Sequence, residues 1–203
     1  MKKFLIYISL LFLLIGCGSA TTVGINKTKL SPKFDPATVN RVAIVNFSKN
    51  KNLNYDTAII ADKFTAELVG SEIFSLMDRN DIQKIMYEVG FQTKSSLAGI
   101  LNDATLQRLA AMGADSILTG NLVSFNQVDR NGTTLVAETH LIAKLLRIES
   151  GEVIWSAEMQ KKSKSKDGKD AESAEIMLSD IITEMSIPLN TADKFKRLFK
   201  KAF

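Results

Sequence analysis

"TTLVAETHLIAKLLRIESGEVIWSAEM", residues 133–159, decides how this chain folds. Leu135, Ala137, Leu141, Ala143 and Leu145 share one phase of a period-two repeat. An extended strand puts them on one face, with Glu138, His140 and Lys144 on the other and Val136 and Ile142 interspersed there. Ser150-Gly151 then turns the chain into "EVIWSAEM", residues 152–159, a candidate antiparallel partner.

Upstream, "ADSILTGNLVSF" (114–125) reads as a further strand, and Asn131-Gly132-Thr133, although it fits a glycosylation sequon, reads more simply as a hairpin turn. "RVAIVNFS" (41–48) and the shorter "EIFSLMD" (72–78) also have strand character. Between these strands lie three helical patterns. Asp56 can cap the first, with Ile60, Phe64 and Leu68 on one face and Gly70 at its stop. Asp78 and Asn80 can cap the second, which carries Ile82, Ile85, Met86 and Val89 before Gly90. Asp103 opens the third, with Leu106, Leu109 and Ala110 inward and Gly113 at its end. "KKSKSKDGKDAESAE" (161–175) reads as a solvated loop leading into a last helix with Ile176, Met177, Ile181 and Met185, which Pro188 ends or bends. The order βαβααβββα predicts an α/β (α+β) domain over residues 41–190, a mixed and mostly antiparallel sheet packed with helices.

The N-terminus bounds the compartment. Lys2 and Lys3 precede an apolar stretch from Phe4 to Gly16, 13 residues long and short of the roughly 20 that a spanning helix needs. Leu14-Ile15-Gly16-Cys17 looks like a bacterial lipobox, which implies cleavage after residue 16 and acylation of Cys17, the one cysteine in the chain. Several acyl chains on one residue make membrane attachment stable. Gly18 after the cysteine, by resemblance to enteric sorting rules, points to the outer membrane, with the domain facing the periplasm. Residues 17–40 contain Pro32 and Pro36 without apolar periodicity and read as the lipidated cysteine and a flexible tether, with a reach of roughly 25 Å.

Composition excludes more than it proposes. Removal of residues 1–16 leaves 24 Lys plus Arg against 22 Asp plus Glu, too even a balance to argue for nucleic acid. His140 is the only histidine, so a catalytic triad or a histidine-rich metal site is excluded and only carboxylate-based sites stay open. Asp78, Asp81 and Asp103 sit at helix starts, where carboxylates satisfy free N–H groups, and Asp115 stands apart from them. No cofactor motif is present, and the chain reads as a non-enzyme. Trp155 fits a core position. The C-terminal segment 191–203 is basic and amphipathic: Phe195, Leu198, Phe199 and Ala202 form a stripe opposed by Lys194, Arg197, Lys200 and Lys201, suited to a membrane, to its own domain or to another subunit.

"RVAIVNFS", "FSLMDRNDIQKIMYE", "LAAMGADSILTGNLVSF" and "AKLLRIESGEVIWSAEM", in that order, resemble the CsgG-like family of bacterial lipoproteins. That family takes in the curli secretion pore and similar domains in LpoB-like synthase activators and PelC-like export lipoproteins. The resemblance implies an α/β domain at the periplasmic face, commonly assembled into rings. A curli-type pore also needs spanning strands of about 9 to 11 alternating residues. "NQVDRNGTT" is too short and polar for one, and "QKKSKSKDGKD" cannot face lipid. The reading with most support is a lipid-anchored homo-oligomer that supports secretion or surface assembly without its own barrel. The alternative is an LpoB-like activator that binds a peptidoglycan synthase, against which the short tether counts.

Overall fold

The computed structural model describes residues 20–32, 35–88, 103–167 and 169–191. Strands β1 (Ala20–Leu30), β2 (Arg41–Ile44), β3 (Ser48–Lys49), β4 (Ser75–Leu76), β5 (Ser116–Arg130), β6 (Thr133–Arg147) and β7 (Val153–Lys164) form one sheet. The helices are α1 (Ala58–Leu68), α2 (Arg79–Glu88), α3 (Asp103–Ala111) and α4 (Ala174–Asn190), with a short 3-10 turn at Pro36–Thr38. The sheet runs β1-β7-β6-β5-β2-β4, and β3 also pairs with β5. The long ladders β1/β7, β6/β7 and β5/β6 are antiparallel, while β2 pairs with β4 and β5 in parallel. This is the mixed, mostly antiparallel α+β architecture that the strand and helix patterns predict.

The period-two pattern of β6 holds: Ala137, Leu141, Ala143 and Leu145 are buried, whereas Lys144 is exposed and Glu138 and His140 are half-buried. Their inward face, together with Trp155, Ala157 and Met159 of β7, packs under α1 and α4. β2 is buried on both sides. Val42 and Ile44 join that core, while Ala43 meets Ile82, Ile85 and Met86 of α2 and Leu109 of α3 on the other face. Helix stops follow backbone geometry: Gly70 and Gly113 adopt φ of +85° and +89°, the left-handed region that glycine enters at no steric cost. At the β5–β6 turn both Asn131 (φ 53°) and Gly132 (φ 79°) are left-handed, as a two-residue hairpin of the Asn-Gly kind requires.

Four expectations need correction. Residues 17–40 are not all tether, because Ala20–Leu30 form an edge strand paired with β7 along its length. The basic run after Met159 is not all loop: β7 continues to Lys164, with Lys161 and Ser163 buried. The strand expected over 72–78 shrinks to Ser75–Leu76. Ala110 of α3 and Ile176 of α4 point outward, with Ile176 53% exposed, because each lies about 100° round its helix from a buried neighbour. Pro188, expected to end or bend the last helix, lies inside α4, which stops two residues later at Asn190. Val89, Gly90, Cys17 and residues 192–203 lie outside the described residues.

Candidate docking surfaces

The outward face of the antiparallel half is polar and internally bonded. Glu138 and His140 of β6 stand opposite Lys162 and Gln160 of β7. The Gln160 amide donates to Glu138 Oε1 at 2.6 Å, Lys162 Nζ lies 3.6 Å from Glu138 Oε2, and His140 Nε2 is 3.0 Å from Glu158 Oε1. Gly24 sits at the β1 bulge, where a Cβ would come within 2.7 Å of Gln160 Oε1. His140 is thus a partnered strand histidine, with a carboxylate on one side and no second imidazole. Among the described residues, no group of three or more His, Cys, Asp or Glu side chains could hold a metal ion.

At the far end of the sheet, α3 and the end of β6 enclose an open groove of about 590 Å³. Leu106, Gln107 and Ala110 form one wall, and Arg147 and Ile148 the other. Arg147 Nη2 donates to Thr38 Oγ1, which fixes the guanidinium at the rim. Asp115 at the base accepts from the backbone N–H groups of Asn40 (2.7 Å) and Arg41 (3.0 Å), and its other oxygen takes the Ser116 hydroxyl. Its carboxylate is used in joining the start of β2 to β5, which accounts for the acid that helix capping left over. Leu106, Ala110, Ala114 and Ile148 give the groove an apolar lining beside Arg147, with Asp103, Asp115 and Glu149 also along it.

Around α4 the charges work structurally. Lys161 lies in phase with Trp155, Ala157 and Met159, yet it carries a charge; Glu184 (2.6 Å) and Asp180 (3.6 Å) of α4 meet it. Tyr55 donates to Glu175 Oε2 at 3.0 Å and packs its ring 4.4 Å from that of Phe125, while Lys63 pairs with the other Glu175 oxygen. Sequence reasoning missed both clusters. The signal for the first was a lysine on the inward phase of a strand, which demands a carboxylate from the covering helix.

Burial pushes the Tyr55 phenol up, and the Glu175 carboxylate pushes it the same way. Burial would lower Lys161, but the hydrogen bond and charge of Glu184 and the charge of Asp180 outweigh it and hold the ammonium above its usual value. Both groups bind their proton more tightly folded than unfolded. Their contribution is therefore complete below the ordinary values of 10.0 and 10.5 and is lost as pH rises through the folded ones. Thermal melts from neutral to strongly alkaline pH should show the native chain losing stability above about pH 10 more steeply than a Tyr55→Phe/Lys161→Met double variant.

Of the residues singled out from the sequence, Trp155 is fully buried in the core, so it offers no surface. Asp78 accepts from the N–H of Asn80 at 2.7 Å and Asp56 from that of Ala58 at 3.0 Å, both at helix starts. Asp81 pairs with Lys84, and Asp103 lies in the first turn of α3. The structure brings none of these acids into an acid–base pair. No helix among the described residues is long and apolar enough to cross a membrane.

Residues 31–160 match the family model described as peptidoglycan-synthase activator LpoB. Among solved structures, a PelC dodecamer from Paraburkholderia phytofirmans is similar over 82% of this chain and 99% of that one, at 13% identity and a TM-score of 0.55. Lipoprotein GNA1162 from Neisseria meningitidis is similar over 73% and 99%, at 12% identity and a TM-score of 0.50. The LpoB C-terminal domain from Escherichia coli is similar over 63% and 86%, at 16% identity and a TM-score of 0.45. At these identities the likeness to the solved structures is one of fold. Among curated proteins, none matches the sequence.

Proposed function

The chain belongs to the peptidoglycan-synthase activator LpoB family, and from that premise we propose that it is a non-enzymatic envelope lipoprotein whose domain binds a peptidoglycan synthase and raises its activity. The observation that carries this reading is the extent of the family match, which runs from just before β2 into β7 and so takes in both walls of the groove beside α3. The groove, with Arg147 at its rim and Leu106 and Ile148 in its walls, is the surface we assign to the synthase. Cys17 is acylated in this reading and holds the domain at the outer membrane, facing the periplasm. The segment with Phe195, Leu198, Phe199, Lys194, Arg197, Lys200 and Lys201 adds a contact with the membrane or with another subunit.

The family reverses the order of the two readings drawn from the sequence. β1 also turns the tether objection into a geometric condition. Only Gly18 and Ser19 separate Cys17 from β1, so a fully extended link spans at most about 10 Å. The synthase must therefore present its docking part within about one domain length of the membrane that holds the anchor.

A second reading, a homo-oligomer that supports secretion or surface assembly, is favoured by one feature. β1 is an edge strand of 11 residues whose outer row of N–H and C=O groups has no partner strand among those described. Such an edge can pair with another chain, although Lys27 and Lys29 on it oppose that pairing. Light scattering of the acylated protein in mild detergent, alone and with a purified synthase from the same cells, separates the two. The first reading expects a small species that gains mass on adding the synthase. A discrete many-subunit assembly indifferent to the synthase would overturn it in favour of the second.

A further inference from the structure

We infer that the end of the sheet formed by the start of β1, the end of β7 and the tip of the β5–β6 hairpin lies against a lipid surface, with the Ser150-Gly151 turn and the groove pointing away from it. The inference rests on the acylation of Cys17 and goes beyond it to the orientation of the whole domain. Strand register supplies the geometry. Ala20 pairs with Lys164, Lys164 with Val136, and Val136 with Val128, so one row across four strands joins the first residue of β1 to the hairpin arm. The link from Cys17 to Ala20 spans at most about 10 Å. The hairpin runs three residues beyond the row, from Val128 to Asn131, which is also about 10 Å at strand rise. A membrane close enough to hold the anchor is thus close enough to touch the hairpin tip.

The side chains at this end fit such a surface. Val128 is 56% exposed and Val136 40%, directly opposite each other, an apolar pair that the domain itself leaves uncovered. Arg130, Lys164, Lys166 and Lys169 are exposed around them. Asp129, Asp167 and Asp170 are exposed there as well, and Asp129 is occupied by the Gln127 amide. The cationic excess is therefore small. It aligns the domain on an anionic surface, while the acyl chains supply the attachment. The opposite end differs in position above all: β6 runs from Thr133 to Arg147, about 45 Å away, and Ser150 lies in the turn beyond it. Lipid contact at one end leaves the groove in the periplasm, open to a protein partner.

The test uses the acylated full chain in vesicles of phosphatidylethanolamine with a minority of phosphatidylglycerol. Cys17 is the only cysteine, so once it is acylated Thr133→Cys and Ser150→Cys each offer a unique thiol for a fluorophore. Nitroxide-headgroup lipid should quench the label at 133 several-fold more strongly than the label at 150. Lys164→Glu with Lys166→Glu should weaken quenching at 133 while the protein stays on the vesicles. Equal quenching at both sites, or none at 133, overturns the orientation, as does energy transfer between 133 labels that shows a second copy covering the tip. The mass of the mature N-terminus keeps the two failures apart: a chain without acyl groups defeats the anchor reading, whereas an acylated chain with no quenching at 133 defeats the orientation alone.

Discussion

Gly120→Val is expected to lower the stability of the domain by about 4 kcal/mol and its melting temperature by roughly 10 °C, where soluble protein is obtained at all. Gly120 lies in β5 opposite Ala143, on the face that packs beneath α1 and α4. A Cβ there would lie 1.9 Å from the carbonyl oxygen of Ile142 and 2.6 Å from Phe47 Cε1. Neither neighbour can yield cheaply. The carbonyl belongs to the β5/β6 ladder, and Phe47 is 2% exposed and stacks on Phe64 with ring centroids 5.3 Å apart. Ser48 adds to the cost, since its hydroxyl donates to the Gly120 carbonyl at 2.9 Å and helps hold β3 against β5. Thermal or urea melts check this directly. A variant melting within about 2 °C of the native chain would mean that β3 and Phe47 do not pack as described.

Cys17→Ser is expected to move the protein from the membrane to the soluble fraction almost completely. The variant must be exported on an ordinary signal peptide, because blocked processing would leave Phe4 to Gly16 attached as a substitute anchor. The effect is large because no helix among the described residues can span a bilayer, and a few surface cations contribute only about 1 kcal/mol each. Several acyl chains, by contrast, give a stable attachment. Retention of the serine variant on membranes after a high-salt wash would show that the attachment lies elsewhere. The same variant lacking residues 192–203 would then locate it.

The parts of the fold legible in the sequence are those whose local chemistry decides them. β6 shows its inward face because one side meets α4 and the other meets water, which writes a period of two into Leu135 to Leu145. Asn131-Gly132 marks its turn because both residues need φ above zero. β1 was not legible for the opposite reason. An edge strand has only one neighbour, and its inward residues Thr21, Thr28 and Leu30 are no more than half-buried, so "ATTVGINKTKL" shows no apolar alternation. What fixes it is a ladder to β7, some 130 residues further along. The last third of β7 was hidden by its own composition. Lys161 and Ser163 occupy inward positions that would ordinarily be apolar, and each is satisfied from outside the strand: Lys161 by Glu184, Ser163 by Thr21 and the N–H of Glu172.

The docking surfaces were less legible than the core. The groove joins Leu106 and Gln107 of α3 to Arg147 and Ile148 at the end of β6, and the lipid-facing row joins Ala20 to residues more than 100 positions away. No local pattern predicts either. Among the acids, Asp78 caps a helix start as its position predicts, whereas Asp81 pairs with Lys84 one turn further on.

Activation of a peptidoglycan synthase is read in the rate at which a purified synthase from the same cells polymerises its lipid-linked precursor, with and without the mature protein. The native chain should give a saturable rise in rate. That rise should be lost, with thermal stability retained, in a variant carrying Arg147→Glu and Leu106→Asp in the groove. A rate that stays flat at concentrations well above those of the synthase would show that the chain is not its activator.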